Sequence, residues 1–474
     1  MKKEIVFLIA VVSICCLGIF ANSITHKRGF LTSDSFTYLR QAGFFCEGRG
    51  VNSFVTDNLD QAPFTLWPLG YPVEIAVVAS ALHMDLFLAS KILNCFFIAG
   101  AALLIYKISP QSFQLSSLYL LSATATYIFT LSLSEASFIF STLLIMLGLL
   151  LFTQRSTWGN LFILSAGLIL AFLIRYLGII WLPFVAGICL ILRRTSKNKL
   201  TTKLFTGIFI SAGVMIGYAI HNYLLTGNAF GARQRTLESM SGLGQKFLQA
   251  FIVQFNFIYD FYPKGPASQS VFWVVLLSTL GLIAWCIFWH PTNVSSENIQ
   301  TKKPPFIATD RLLFFAGVFY LLAMIVLRYL IAFDDPSARL LGPATMLLFL
   351  AFSHYISTKR QSRFKIVKNV MTVFALLSIL FNLVYQPIRS FQSNKVFYTQ
   401  ILSHVKQRYS EVPGQSIVLC ADENLAYLRP DLIVVPARNC SNNSSWSSRA
   451  LSTGRKVYRD TNNEVMLVPR TARN

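Results

Sequence analysis

Acidic charge is what this chain of 474 residues has least of: 20 Asp and Glu stand against 41 Lys and Arg, and the four types together make up only 13% of it. So small a charged fraction, beside 54% hydrophobic side chains, excludes an ordinary soluble globular protein and leaves a polytopic membrane protein. There is no Cys-x-x-Cys and no His-x-x-x-His pair, so neither a structural nor a catalytic zinc site has support. His26, His83 and His221 lack metal-ligand spacing and read as ordinary interfacial histidines. A phosphate-cradling glycine loop and a dinucleotide fingerprint are also missing, which points away from ATP or a soluble nucleotide-sugar as substrate. No internal repeat is visible, and repeats are what a transporter or flippase would be expected to carry.

What the chain does have is a series of apolar runs of about 17 to 22 residues, the length that crosses roughly 30 Å of hydrocarbon. Eleven can be read, at 5–21, 88–106, 113–131, 136–152, 158–174, 176–192, 204–220, 271–289, 312–332, 340–357 and 366–384. The expected fold class is therefore all-α and polytopic over 1–384, with a first external loop at 22–87, followed by a small α/β extracytoplasmic domain at 385–474. In that tail 393–410 reads as helix, and 416–420, 431–435 and 464–468 read as short strands.

A formal charge of +21 suggests nucleic acid only until the bases are placed. Lys2 and Lys3, Lys107, Arg155, the Arg193 to Lys203 group, Lys302, Lys303, Arg311 and the Lys359 to Lys368 group all fall in loops of one parity. By the positive-inside rule they put the N-terminus in the cytoplasm and the C-terminus outside, with the bilayer and not a nucleic acid as the partner. Met1-Lys2-Lys3, an apolar core and Ala21-Asn22-Ser23 also meet the pattern of a cleavable signal peptide loosely; the core is long for one, and a retained helix is the better reading. Cys420 and Cys440 fall outside, and their spacing alone leaves a disulfide between them open.

The first external loop is too long for a simple connector and is the place to look for function. Residues 34–47 and 70–84 have apolar positions at helical spacing and read as helices lying in the membrane interface, a depth that suits Trp67 and Tyr71. Charges at that depth are costly and should face an internal cavity. Asp34, Glu135, Lys91, Arg175, Arg328 and Arg339 all stand at the outer ends of spans. Five of them have a plainer reading: a helix N-cap for Asp34, a dipole-stabilised first-turn acid for Glu135, snorkelling for Arg175, and pairing with Asp334 or Asp335 for Arg328 and Arg339.

Taken together, these elements resemble the GT-C superfamily of integral-membrane glycosyltransferases, in the bacterial branch that includes aminoarabinose transferase, protein O-mannosyltransferases and lipopolysaccharide-core sugar transferases. The likeness rests on Asp34 and Tyr38 in an Asp-x-x-x-Tyr helix start, Trp67-Pro68-Leu69-Gly70-Tyr71-Pro72, Lys91 and Asn94 heading span two, Glu135, Arg175, and Arg339 with Pro343. It covers residues 1–195 and then only 334–343, and a single Asp stands in the first loop where the protein mannosyltransferases have an Asp-Glu pair. The resemblance implies a multi-pass enzyme of a bacterial cytoplasmic membrane that moves a sugar from a polyprenyl-phosphate donor to a hydroxyl of a lipid, glycan or protein acceptor. No other cofactor is implied. Asp34 and Glu135 would be catalytic, and Lys91, Arg175, Arg339 and Tyr38 would bind substrate. The alternatives are a transporter or flippase of a lipid-linked saccharide and a polysaccharide polymerase, the latter expected to carry its key arginines in one large late loop.

Overall fold

The computed structural model describes residues 2–394 except 27, 55–60, 195–197, 232–239, 260, 262, 264, 289–307, 332–334 and 360. Beyond 394 it describes 405, 407–414, 416–421, 425, 429, 432–436, 450, 456–461 and 465–468. Helices dominate: α1 (Lys2–Thr25), α2 (Ser33–Cys46), α3 (Gly70–Leu82), α4 (Leu86–Ile108), α5 (Phe113–Ser117), α6 (Ala123–Thr130), α7 (Glu135–Gln154) and α8 (Trp158–Ile174). They continue with α9 (Trp181–Arg194), α10 (Asn198–Thr226), α11 (Met240–Val253), α12 (Pro266–Phe288), α13 (Thr309–Leu330), α14 (Ala338–Lys359), α15 (Gln361–Ile379) and α16 (Gln386–Ser393).

Among the described residues nine helices are long and apolar enough to cross a membrane, and each coincides with one of the eleven expected runs. The tenth, α8, has 17 residues, about 25 Å at 1.5 Å per residue, which is slightly short of the hydrocarbon thickness. The run at 113–131 is not one helix. It breaks into α5, a tight turn at Leu118–Leu121, and α6, because the Ser122 side chain accepts from Ala125 N–H and starts a new helix. Irregular backbone at membrane depth is tolerated only inside protein, and Leu118 to Ala125 are all buried.

The first loop folds as expected into two interfacial helices, α2 and α3, with a short antiparallel pair, β1 (Asn52–Phe54) and β2 (Gln61–Pro63), between them. Gly70 opens α3 because no side chain fits there: a Cβ would lie 2.5 Å from the Leu173 carbonyl oxygen at the end of α8. That close approach brings the first loop against the residues leading to Arg175. The segment 221–270 contains α11 between the end of α10 and the start of α12.

In the tail, β3 (Ile417–Ala421), β4 (Ile433–Pro436), β5 (Val457–Asp460) and β6 (Val465–Leu467) form one sheet in the order β4-β3-β5-β6. β3 runs parallel to both β4 and β5, and β6 pairs antiparallel with β5. Three of these strands fall where the sequence put them, and β5 was not foreseen. Most of the helix expected at 393–410 lies outside the described residues. Cys420 is in a disulfide, while Cys440 lies outside the described residues.

Candidate active site

Helix α2 starts with a capping box: Thr32 Oγ1 accepts from Ser35 N–H at 3.3 Å, and Ser35 Oγ accepts from Thr32 N–H at 3.0 Å. Thr32 is thus the N-cap. Asp34 is one residue into the helix with its carboxylate left for other work, which removes the plain capping explanation. One turn on, the buried Tyr38 hydroxyl lies 3.2 Å from Ser134 Oγ, and burial pushes its phenol well above the ordinary range, so it stays protonated.

Four of the expected residues meet. Arg339, in the first turn of α14, points Nη1 and Nη2 at Asp34 Oδ2 from 3.4 and 3.5 Å, and its Nε lies 3.8 Å from Glu135 Oε1. Arg175 Nη1 reaches the same Glu135 oxygen at 2.5 Å. Glu135 is 3% exposed, and its other oxygen, Oε2, has no hydrogen-bond partner among the described residues. Two carboxylates from α2 and α7 therefore alternate with two guanidiniums from the α8 end and α14. The four charges cancel, as buried charges must if the desolvation cost is to be met.

Arg175 is aimed by the turn that follows α8. Gly178 N–H donates to the Arg175 carbonyl at 2.7 Å, and a Cβ on Gly178 would sit 2.3 Å from the Ala171 carbonyl carbon, so the chain can fold back this tightly only with glycine there. Tyr176 then donates to the Thr65 carbonyl at 2.8 Å, and Leu69 N–H donates to Tyr218 Oη at 3.1 Å. Those two bonds lash the first loop to α10 and to the Arg175 turn.

The charged ring opens on a cavity of about 330 Å³. Asp34, Tyr38, Trp67, Glu135, Arg175 and Arg339 form its polar side, and Ile179, Phe230, Met324, Leu327 and Ile331 are among its apolar wall. Such a cavity suits a ligand with an anionic head and a hydrocarbon chain. Among the described residues no group of three or more His, Cys, Asp or Glu side chains is arranged to hold a metal ion.

Lys91 is not brought to this cavity. Its ammonium, 1% exposed, donates to the Thr130 carbonyl at 2.6 Å over the Phe87 ring, while Asn94 Nδ2 donates to the Phe129 and Leu131 carbonyls at 2.8 and 2.7 Å. Ser90 Oγ lies 2.8 Å from Ser132 Oγ. These side chains satisfy the carbonyls left over at the end of α6 and fix the strand of chain that leads into Glu135. Arg328 belongs to a separate network with Asp335, which also binds Lys246 at 3.1 Å; the bond from Lys246, joined by Arg328, holds the Asp335 carboxyl below its ordinary range. Asp334 lies outside the described residues.

The sequence reading passed over Ser134, Tyr176 and Phe230, which gain their place only through tertiary contact. It also passed over Glu74, whose signal was visible as the sole charge in the apolar run Gly70–Leu82.

No family model and no curated protein matches the sequence. Among solved structures the chain is similar to ArnT from Cupriavidus metallidurans bound to undecaprenyl phosphate, with a TM-score of 0.56 at 10% identity over 98% of this chain and 94% of that one. A weaker likeness, with a TM-score of 0.46 at 10% identity over 97% of this chain and 69% of that one, is to the archaeal oligosaccharyltransferase AglB from Archaeoglobus fulgidus in complex with an inhibitory peptide and a dolichol-phosphate. At such identities the likeness is one of architecture: the chain shares its fold with ArnT.

Proposed function

We propose that this protein transfers one sugar, with inversion, from a polyprenyl-phosphate donor to an acceptor hydroxyl at the outer face of a bacterial cytoplasmic membrane. The observation that carries this reading is Asp34 facing Arg339 at 3.4 Å across a cavity with one charged side and one apolar wall. A carboxylate beside a guanidinium is what a transfer from phosphate to hydroxyl needs, and the apolar wall is what a lipid carrier needs. ArnT, whose fold the chain shares, was solved with undecaprenyl phosphate bound. The alternating basic loops support the N-terminus inside and the C-terminus outside.

In the reaction, the acceptor oxygen attacks the anomeric carbon from the side opposite the phosphate. The bond from that carbon to the phosphate oxygen breaks, its electron pair leaves with the polyprenyl phosphate, and the acceptor proton passes to Asp34 as general base. Arg339 and Arg175 hold the phosphate oxygens, for which the planar guanidinium fork is matched. Glu135 sets both arginines and, with Asp34, favours the positive charge that grows on the sugar ring. Tyr38 donates a hydrogen bond within the site, and Lys91 supports the Glu135 segment from behind.

The test is transfer from a polyprenyl-phosphate sugar by the purified protein, with one polyprenyl phosphate released per sugar moved. Because Thr32 and not Asp34 caps the helix, Asp34→Asn should still fold, with a melting temperature lowered by the charge lost beside Arg339, yet lose about 10²- to 10⁴-fold in turnover. Wild-type turnover in the Asn variant would sink the assignment of the base.

A further inference from the structure

Helix α2 is shared between two hydrophobic cores. Tyr38, Leu39 and Ala42 pack into the large core of the transmembrane helices, whereas Phe44, fully buried, packs with Ile417 and Leu419 of β3, Ile433 and Val435 of β4, Ala450 and Val457. The tail sheet explains why. Its strands alternate, so Val418 and Val434 face a core completed by Tyr409, Val412 and Leu425 from the tail itself, and a bulge at Cys420 turns Ala421 to the same face. The opposite face, carrying Ile417, Leu419, Ile433, Val435 and Val457, is closed among the described residues by Ala450 and by the ring of Phe44. One aromatic plug from the first external loop thus completes the core of a domain that begins some 350 residues later.

Phe44 lies ten residues beyond Asp34 on the same helix, about 15 Å along its axis. A helix of 14 residues is short and stiff, so fixing its far end fixes the direction in which its first turn points. At that first turn Asp34 must keep a separation of 3.4 Å from Arg339, a distance to which a small tilt of the helix matters.

We propose that the C-terminal domain acts as a clamp on the helix that bears Asp34, and that Phe44 is the positioning residue through which it acts. The coupling is mechanical and reciprocal: the tail sheet completes its core on α2, and α2 is held in its orientation by the sheet's grip on Phe44. Whatever engages the tail from outside shifts the same equilibrium. The clamp itself is a property of packing; its effect on turnover rests on the glycosyl-transfer reading above.

The experiment is amide hydrogen exchange on the full-length protein in detergent, combined with transfer kinetics, for wild type, Phe44→Ala and Phe44→Leu. Exchange should rise by roughly tenfold or more in Phe44→Ala both in β3 and in the 33–40 part of α2, while the long spans keep their protection. Turnover should fall roughly tenfold or more with the donor KM unchanged, because the phosphate-binding arginines sit on other elements. Phe44→Leu, which refills most of the void, should restore both. Faster exchange in β3 alone, with 33–40 still protected and turnover kept, would reduce Phe44 to a simple domain contact and overturn the proposal. Unchanged exchange in both segments would overturn it as well. Where Phe44→Ala does not survive purification, Phe44→Val, which leaves a smaller void, is read against the same outcomes at smaller amplitude. A wild-type protein that transfers no sugar would count against the enzymatic reading, and the exchange data would still decide the clamp.

Discussion

Two cavities share α14 as a wall and have little else in common. The smaller, about 330 Å³, takes Arg339 and Leu340 from its N-terminal end and gathers Asp34, Glu135 and Arg175 from three other elements. The larger, about 620 Å³, takes Thr345, Leu348, Phe349, Phe352 and Tyr355 from further along the same helix, and its walls are nearly all apolar. Volume alone would choose the larger. The cost of charge chooses the smaller, because each ionised group at the bilayer centre costs on the order of 3 kcal/mol on insertion scales. Four of them are retained around one cavity, whereas in the other Asp310 and Arg311 are the charged residues and stand at the start of α13. An apolar cavity can be closed by any hydrocarbon in the bilayer, but a ring of two carboxylates and two guanidiniums calls for a polar ligand or a reaction.

The comparison breaks most directly at Arg339. If the charged ring is only an ion-pair network, removing one guanidinium lowers stability and leaves donor use alone. If it binds phosphate, Arg339→Ala should cost about 10- to 150-fold in kcat/KM for the donor, the range that roughly 1.5–3 kcal/mol for a charge-assisted hydrogen bond gives. Arg339→Lys should recover part of that loss, since the charge returns without the fork. Unchanged donor dependence in Arg339→Ala would take Arg339 out of the site.

The ease with which the sequence yields the charged cavity follows from the same cost. Asp34, Glu135, Arg175 and Arg339 stand out as ions in an apolar setting, and their common side of the membrane follows from the basic loops. Lys91 stands out equally but lies away from that cavity, because its partner is the backbone carbonyl of Thr130, which no side-chain pattern announces. The helices were legible from the lengths of their apolar runs. The break at Ser122 was not, since a serine inside an apolar run reads as tolerated until its side chain is seen capping a new helix. β5 was lost because Val457-Tyr458-Arg459-Asp460 is short and half charged, and only its pairing with β3 and β6 makes it a strand. The seat of Phe44 depends on contacts between residues hundreds of positions apart, and nothing local predicts it.

Glu74 sharpens the contrast from outside both cavities. It is a carboxyl on the interfacial helix α3 with Ser137 Oγ donating to one oxygen at 3.0 Å and, among the described residues, no hydrogen-bond partner on the other. Burial pushes it up to about 8, against the smaller opposing effect of the Ser137 hydrogen bond. An unfolded Glu ionises near 4.5, so between there and about 8 the folded protein holds a proton that the unfolded chain has lost. Stability conferred by the neutral acid is therefore complete below the lower value, falls as pH rises through that window, and is flat above it. At about 1.4 kcal/mol per pH unit, the loss between pH 5 and pH 7 is at most about 3 kcal/mol. Glu74→Gln should abolish that slope and melt at a higher temperature than wild type at neutral pH, with the two converging in acid. Parallel melting curves for the two proteins across this range would mean that Glu74 is solvated and ionised.

The smallest effect belongs to the large cavity. If its apolar walls face only bilayer hydrocarbon, filling it should matter little to transfer. Ala351, 4% exposed, lines that cavity and touches none of the charged ring, so Ala351→Trp places a bulky apolar side chain into space already lined by Phe349, Phe352 and Leu282. Turnover and donor KM should stay within about twofold of wild type, the scatter expected of a change that disturbs no buried polar group. Filling apolar space also tends to raise the melting temperature when the new side chain fits. The opposite outcome would be informative in a specific way. A loss of donor use as large as that of Arg339→Ala, in a protein that still melts like wild type, would mean that the donor chain runs through the large cavity while its phosphate sits in the small one. The two cavities would then be one binding path divided by α14, and charge would mark only its reacting end.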